Sequence, residues 1–593
     1  MTNRQEQVRA AMDDRTAGSA PLSMRPTLTG FKHMVSAGHY LAAHAAHEIL
    51  EAGGNATDAG VAAGIALGVV QSDIVNFAGV APILVYQADT QKVSSISGLG
   101  WWPRAASLDF FLKEHGGSIP PGILRTVIPA APDAWITALE RFGTMSFADV
   151  SAAAIRFADR GIVMYQLLEE NIASNRAAYE KWPSNAEIYL PGGAVPRSGS
   201  IFRQRDLARS MQYMADEERA HAASQGRLAG LQAARNAFYR GDIARRIVDY
   251  HKANDGFLTL QDLDEFSVEV EDAQQTRFHG TTVYSCGFWC QGPVLLQMLN
   301  MLEQRDLAAL GHNSSAYIHL LAEVIKLAFA DRERYYADPR HTDVPAEALL
   351  SKAYAEQRMA DFNEGAAWPG MPPAGALPNG GALSLERACV SDEHRNAPKL
   401  DTSYVAVVDR HGNAFSATPS DGSMFTPVIP GTGLCPSARG SQSWAQAGHA
   451  AAIGPHRRPR LTPNPSMAIR PDGYVMPFGS PGGDVQTQAM LQAFLNIEVF
   501  GMELQPALEA PRFASFSFPS SFEPHAPEPG RLMIEDLIDA NVGPKLTQLG
   551  HTVQWWRDIN WRSGGVCAVR HDLDSGIRSA GSDPRRPGYA LGW

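Results

Sequence analysis

Apolar positions recur at helical spacing through most of the front of this chain. LAAHAAHEIL, residues 41–50, gathers its apolar residues on one helical face and stops at Gly53-Gly54. Asn55-Ala56-Thr57-Asp58 then opens a second helix, GVAAGIALGVV. In it Gly60, Gly64 and Gly68 recur every four residues, so one face is bare backbone and packs closely. Helical periodicity dominates again between Ser146 and Arg246, and in SAYIHLLAEVIKLAFADRERYYADP at 315–339.

A stretch rich in Gly, Pro and Ala, from Asn363 to Lys399, predicts a mobile surface connection. Directly after it the pattern changes to period two. TSYVAVVD, the turn Arg410-His411-Gly412-Asn413 and AFSATPS read as a β-hairpin. Residues 1–29 are polar and Ala-rich and suit a mobile tail, with order beginning near Gly30. No repeat of solenoid period is present.

The composition, 45% hydrophobic and 19% charged over 593 residues, is that of an ordinary folded chain. A formal charge of -11 argues against a nucleic-acid or acidic-membrane partner. The one dense basic cluster, His456-Arg457-Arg458-Pro459-Arg460, reads as a solvated loop. Cys286, Cys290, Cys389, Cys435 and Cys567 are odd in number and lack ligand spacing, which predicts free thiols in a reducing compartment. The first twenty residues hold no apolar run of secretory length, and no stretch of ~20 apolar residues follows. These features together predict a cytoplasmic protein with no membrane segment.

The candidate chemistry sits where the linker meets the hairpin. A hydroxyl is a poor nucleophile at neutral pH unless a base lies beside it. A threonine that opens a strand acquires such a base once the preceding peptide bond is cut, because its freed α-amine has a pKa of about 7.7 to 8.0. Thr402, after Asp401, is such a residue; its plainer reading is an ordinary strand threonine.

TSYVAVVDRHGNA, 402–414, resembles the self-cleaved threonine strand and following turn of the γ-glutamyltransferase family. The likeness extends over most of the chain. EAGGNATDAGVAAGIALGVV (51–70), RFGTMSF (141–147), AEVIKLAFADRERYYADP (322–339), FGSPGGD (478–484), EAPRF (509–513) and AGSDPRR (580–586) are similar to that family's segments, in the same order.

The resemblance implies an α+β fold, a four-layer αββα sandwich of the N-terminal nucleophile hydrolase type. It implies a proenzyme cut between Asp401 and Thr402 into a large subunit, 30–401 behind the tail, and a small subunit, 402–593, interleaved in one fold. Thr402 would attack a small-molecule amide to give an acyl-enzyme, with Gly482 and Gly483 as backbone oxyanion donors and Ser420 assisting the nucleophile. Thr418, Asp421, Arg439 and Asn464 would line the substrate side. No cofactor or metal is implied, and assembly into a homo-oligomer is left open. The competing plain readings are a turn for the glycines, a structural hydroxyl for Ser420 and a surface ion pair for Arg439.

Four recognition elements depart from the family. No Arg stands near Leu99 and Gly100, where members clamp the γ-glutamyl α-carboxylate, and Arg104 follows only later. GLCPSARGSQSW, 433–444, lacks the acid that holds the α-amine. Asp421-Gly422 replaces a hairpin Asn, and Leu461-Thr462-Pro463-Asn464-Pro465 replaces a Ser-Ser-Met motif. The variant pattern also resembles oxamate amidohydrolases, with Arg439 placed to meet a differently positioned carboxylate.

Three readings from other classes compete. HAAHE, at His44, His47 and Glu48, has the wrong order for a zincin helix. No GxSxG elbow supports a classical serine hydrolase. An uncleaved, silent binding homologue would keep the fold and lose the chemistry.

Overall fold

The computed structural model describes residues 23–380 and 402–593. Two seven-stranded sheets, antiparallel throughout, form its centre. One runs in the order Tyr589–Gly592, Met34–Ala37, Val405–Val408, Ala414–Ala417, Ile83–Gln87, Lys92–Ile96, Val270–Asp272. The other runs Leu28–Gly30, Arg578–Ser582, Cys567–Asp572, Tyr474–Gly479, Ser466–Arg470, Thr281–Ser285, Gln274–Phe278.

All four residues of Val405–Val408 are buried, because the strand is covered on both faces. Alternation sorts its side chains. Val405 and Val407 join Val35, Ala37, Ile83, Phe415 and Ala417 in a core shared with the helices Tyr40–Glu51 and Ala56–Val70. Ala406 and Val408 join Met34, Leu84, Met467, Val475 and Val569 in a second core between the two sheets. A third core packs Phe278, Val283, Met476 and Phe478 of the other sheet against the helices Gly292–Leu302, Ser315–Tyr335 and Gln486–Glu498. The layers therefore run helix, sheet, sheet, helix, the αββα sandwich that the resemblance implies.

The glycine stripe of Ala56–Val70 does what its spacing predicts. A Cβ on Gly60 would lie 2.0 Å from the Phe415 ring, and one on Gly64 would lie 2.4 Å from the Trp135 ring. The same helix opens on a capping box between Asn55 and Asp58. Ala56 N also donates to Asp409 Oδ2 at 3.0 Å, while Asp409 Oδ1 accepts from His411 N and Asn413 N. One carboxylate thus closes the hairpin turn and seats the helix against it.

Three expectations need correction. Met24 N and Arg25 N donate to Glu509, and Leu28–Gly30 pairs with Arg578–Ala580, so order begins before Gly30. The first half of the Asn363–Lys399 stretch is anchored to the fold. His319 Nε2 meets Asn363 O, Trp368 N donates to Glu323, and Gly375 N donates to Asp331, so buried polar side chains of one helix take up backbone groups that composition alone assigns to water. The second half, 381–401, lies outside the described residues. The basic cluster is not a solvated loop, since Arg458 pairs with Glu269 and Glu271 and Arg460 with Glu333, both arginines nearly fully buried.

Candidate active site

Thr402 pairs with Ser420 as an isolated antiparallel bridge just before Val405–Val408, and it is buried. Its Oγ1 shares a hydrogen bond of 2.9 Å with Ser420 Oγ, in which either hydroxyl can donate, and accepts from Gln486 Nε2 at 3.1 Å. Ser420 is fixed by its backbone, which exchanges hydrogen bonds of 3.0 and 3.2 Å with Val80. Asn464 Nδ2 donates to Gln486 Oε1 at 3.2 Å and to Thr462 O at 2.9 Å, turning the Gln486 amide so that its nitrogen faces Thr402. Asn464 Oδ1 has no partner among the described residues.

Arg439 is wholly buried, which rules out the surface ion pair. Nη2 donates to Ser420 Oγ, and Nη1 donates to Gln442 Oε1 at 3.2 Å and to Thr462 Oγ1 at 3.4 Å. A guanidinium buried this deeply needs a counter-charge. Asp421 supplies it, with Oδ2 3.7 Å from Arg439 Nε. Burial pushes the Asp421 carboxyl pKa up, while Arg439 and the donors Ser437 Oγ (2.5 Å) and Ala438 N (3.0 Å) pull it back. Asp421 itself has φ 132°, a conformation that favours glycine. It is held there by Asp421 N donating to Ile74 O (3.0 Å) and by Asn76 Nδ2 donating to Asp421 O (2.6 Å).

Gly482 and Gly483 form the turn that leads into the helix bearing Gln486, with φ 123° and 57°. A Cβ on Gly482 would meet only Val485 and Gly564 at ordinary contact distance, so the glycine is needed for its backbone angle rather than for space. Gln291 Nε2 donates to both Gly483 O (2.8 Å) and Thr462 O (3.0 Å), tying this turn to the Thr462 loop. Arg332 braces the same turn through Asp484 at 2.6 Å and Gln291 Oε1 at 3.3 Å.

Of the residues singled out from sequence, the fold joins Thr402, Ser420, Asp421, Arg439 and, through Gln486, Asn464 in one network, and sets Gly482 and Gly483 on the turn that leads into the helix bearing Gln486. Thr418 is buried two residues from Ser420, but its Oγ1 has no partner among the described residues and does not enter the Thr402 network. Asp401 lies outside the described residues. Gln486, Gln442, Gln291 and Arg332 were missed. Their only trace in the sequence is polar residues within otherwise buried segments, which no periodicity separates from surface positions.

The recognition departures are physical as well as textual. Leu99 and Gly100 are buried, and a Cβ on Gly100 would collide with Ile128 O. Arg104 turns to the surface, paired with Glu265. Glu48 of HAAHE pairs with His44 and Arg156, while His47 lies beside His33. Two groups among the described residues bring ligand atoms close together: His33, His47 and Glu51, and His319, Glu323 and His551. In each the carboxylate already has a cationic protein partner, Lys32 on Glu51 and Lys326 on Glu323. Cys286, Cys290, Cys435 and Cys567 are buried free thiols, and burial pushes Cys435 up to about 12. Cys389 lies outside the described residues. Among the described residues, no helix is long and apolar enough to cross a membrane.

Comparison with known proteins matches residues 42–593 to the profile of the family described as Gamma-glutamyltranspeptidase. The chain is 29% identical to the glutathione hydrolase-like YwrD proenzyme of Bacillus subtilis (strain 168) over 96% of its length and all of the relative's. It is 32% identical to the acylase ACY 1 proenzyme of Pseudomonas sp. (strain V22), over 93% and 92% of the two chains. The solved structure of LmbA2991HD superposes with a TM-score of 0.89 at 34% identity, over 96% of this chain and all of that one.

Proposed function

The chain belongs to the gamma-glutamyltranspeptidase family and is an enzyme of amide hydrolysis and acyl transfer; on that premise we propose that Thr402 is its nucleophile, freed by scission after Asp401. In the precursor the Thr402 hydroxyl attacks the Asp401 carbonyl, the peptide nitrogen becomes the new α-amine, and water hydrolyses the resulting ester. In the mature enzyme the hydroxyl attacks the substrate amide and its proton passes to the α-amine, directly or through water. The departing amine takes up that proton, and water or an acceptor amine then releases the acyl group. Gly482 and Gly483 offer backbone N–H groups to the oxygen that becomes negative.

One observation carries this reading. Thr402 Oγ1 is buried between two fixed partners, Ser420 Oγ at 2.9 Å and Gln486 Nε2 at 3.1 Å. A threonine hydroxyl held from two sides is pre-oriented for attack. The sequence relatives described above are both named proenzymes, which supports scission over the silent-homologue reading. Large and small subunits, 30–401 and 402–593, then remain interleaved. The buried free thiols support a reducing, cytoplasmic location.

The test is direct. N-terminal reading of the smaller fragment should give Thr402-Ser403-Tyr404, and Thr402→Ala should leave one uncut, inactive chain. An active, uncut polypeptide, or a fragment that starts elsewhere, removes Thr402 from this role.

A further inference from the structure

His33, His47 and Glu51 form a cluster that the Thr402 chemistry does not use. His33 immediately precedes the strand Met34–Ala37 and is 1% exposed. His47 and Glu51 stand four residues apart in the helix Tyr40–Glu51, so one turn sets both on the same face. The His33 and His47 rings meet edge to face, with centroids 5.3 Å apart. One ring nitrogen from each histidine and one Glu51 oxygen all lie within 4.8 Å of one another. His33 Nε2 and His47 Nδ1 are buried and have no hydrogen-bond partner among the described residues. His33 Nε2 is 3.0 Å from Glu51 Oε1 yet makes no hydrogen bond to it. A buried ring nitrogen left in this state is costly, and here two of them flank one carboxylate.

The carboxylate is oriented by donors of its own. Lys32 Nζ donates to Glu51 Oε2 at 3.0 Å, and Trp593 Nε1 donates to Oε1 at 2.7 Å. Lys32 Nζ also lies 4.5 Å over the Trp593 ring. Outer partners of this kind hold ligating carboxylates in place, and Oε1 keeps a second lone pair for the histidine side. Because Lys32 offsets the charge of Glu51, an ion must be held by its bonds to nitrogen. Two imidazoles and one carboxylate oxygen suit Zn2+, whereas Ca2+ and Mg2+ require several oxygens. The His319, Glu323 and His551 group differs, since His319 Nδ1 and His551 Nε2 share a hydrogen bond of 2.9 Å and Lys326 Nζ lies 2.7 Å from Glu323 Oε1.

We propose that His33, His47 and Glu51 bind one Zn2+ ion, with water as the fourth ligand on the exposed side of Glu51. Tetrahedral zinc with bonds of about 2.0 to 2.2 Å places its ligand atoms roughly 3.3 to 3.6 Å apart, so the three atoms close by no more than about 1.5 Å. Ala37 pairs with Val405 and Met34 with Val408, which puts His33 about seven residues along the sheet from Thr402, or about 20 Å. The ion is therefore structural, and the site holds whether or not Thr402 is the nucleophile. It ties the helix Tyr40–Glu51 to the segment Lys32-His33, which is already joined to Trp593 through Lys32 N to Trp593 O at 2.7 Å and Trp593 N to His33 O at 3.2 Å.

The test uses the tag-free, full-length protein, stripped with EDTA, dialysed to equilibrium against ZnCl2 and followed by calorimetry and thermal unfolding. About one equivalent of zinc should bind per chain, and zinc at about 100 times its dissociation constant should raise the unfolding midpoint by a few degrees. His47→Ala and Glu51→Gln should each weaken binding by at least about 100-fold and cancel the shift. Both positions reach the surface and Glu51→Gln keeps the side-chain shape, so the variants should fold. His44→Ala, on the same helix but paired with Glu48, should leave binding and shift unchanged. Absence of a bound equivalent at about 100 µM free zinc, or an equivalent that survives His47→Ala and Glu51→Gln together, overturns the site.

Discussion

The guanidinium of Arg439 lies against the hydroxyl of Ser420, hydrogen-bonded to it through Nη2. Because Ser420 Oγ thereby accepts from a cation, its own proton is biased toward Thr402 Oγ1, 2.9 Å away. A hydroxyl that donates to the attacking oxygen, backed by a buried positive charge, favours the negative character that oxygen gains as its proton leaves. Arg439→Lys should keep the charge but not the paired contacts to Gln442 and Thr462, and should lower kcat by about 10-fold. Arg439→Met should lower kcat further and leave Asp421 buried and uncompensated, at a cost of about 3 to 5 kcal/mol in stability. Steady-state kinetics with denaturant unfolding checks both; a methionine variant with normal kcat would refute the coupling.

Gln291 holds two loops with one amide, through Gly483 O at 2.8 Å and Thr462 O at 3.0 Å. Gln291→Leu removes both ties, so the glycine turn can drift by a fraction of an ångström. The expected result is a fall in kcat of about 10- to 100-fold with KM changed by less than about threefold. Arg332, bound to Asp484 and Gln291, acts through the same turn. Equal changes in kcat and KM for Gln291→Leu would point to substrate contact instead of positioning.

Gly482→Ala separates geometry from space. The added methyl has room, but φ 123° is strained for alanine, by roughly 1 to 3 kcal/mol. The protein should fold and lose at least about 10-fold in kcat as the turn relaxes and its N–H groups swing away. Unchanged turnover would exclude this turn from oxyanion stabilisation.

Stability should fall in mild acid. Burial lowers His39 and His251 to about 3, far below the unfolded value of about 6.5. The unfolded chain therefore binds the extra protons. This stability is complete above pH of about 6.5 and is lost as pH falls toward the folded values, by about 1.4 kcal/mol per group per pH unit. Denaturant unfolding at pH 7.5 and 5.5 measures it. His39 Nδ1 caps the helix Tyr40–Glu51 by accepting from Leu41 N, so His39→Asn can keep the cap and should flatten the slope. A stability unchanged between these two pH values would contradict the assignment.

Much of the frame was legible in the sequence because it rests on local rules. The capping box at Asn55 and Asp58, the glycine stripe met by Phe415 and Trp135, and the turn closed by Asp409 each follow from residue type and spacing. The candidate nucleophile was singled out by the resemblance of 402–414, since a place at the start of a period-two strand suits an ordinary threonine equally well. Arg439 was found, and only its burial could choose between a place in the site and a surface ion pair, because that burial depends on contacts far along the chain. Gln291 and Gln486 left no local signal at all. They matter through partners from 84 residues away, for Gln486 and Thr402, to 192 away, for Gln291 and Gly483. The buried arginines at 458 and 460 were misread for the same reason, their acids lying at Glu269, Glu271 and Glu333.

The strand Met34–Ala37 is hydrogen-bonded on one side to Val405–Val408 and on the other to Tyr589–Gly592. A cut before Thr402 would therefore leave a piece of one product wedged between two pieces of the other, like a slat locked between neighbours. The fragments should copurify in equal amounts, keep their activity on dilution, and refuse to swap with labelled fragments added later, because parting them means unravelling the sheet itself.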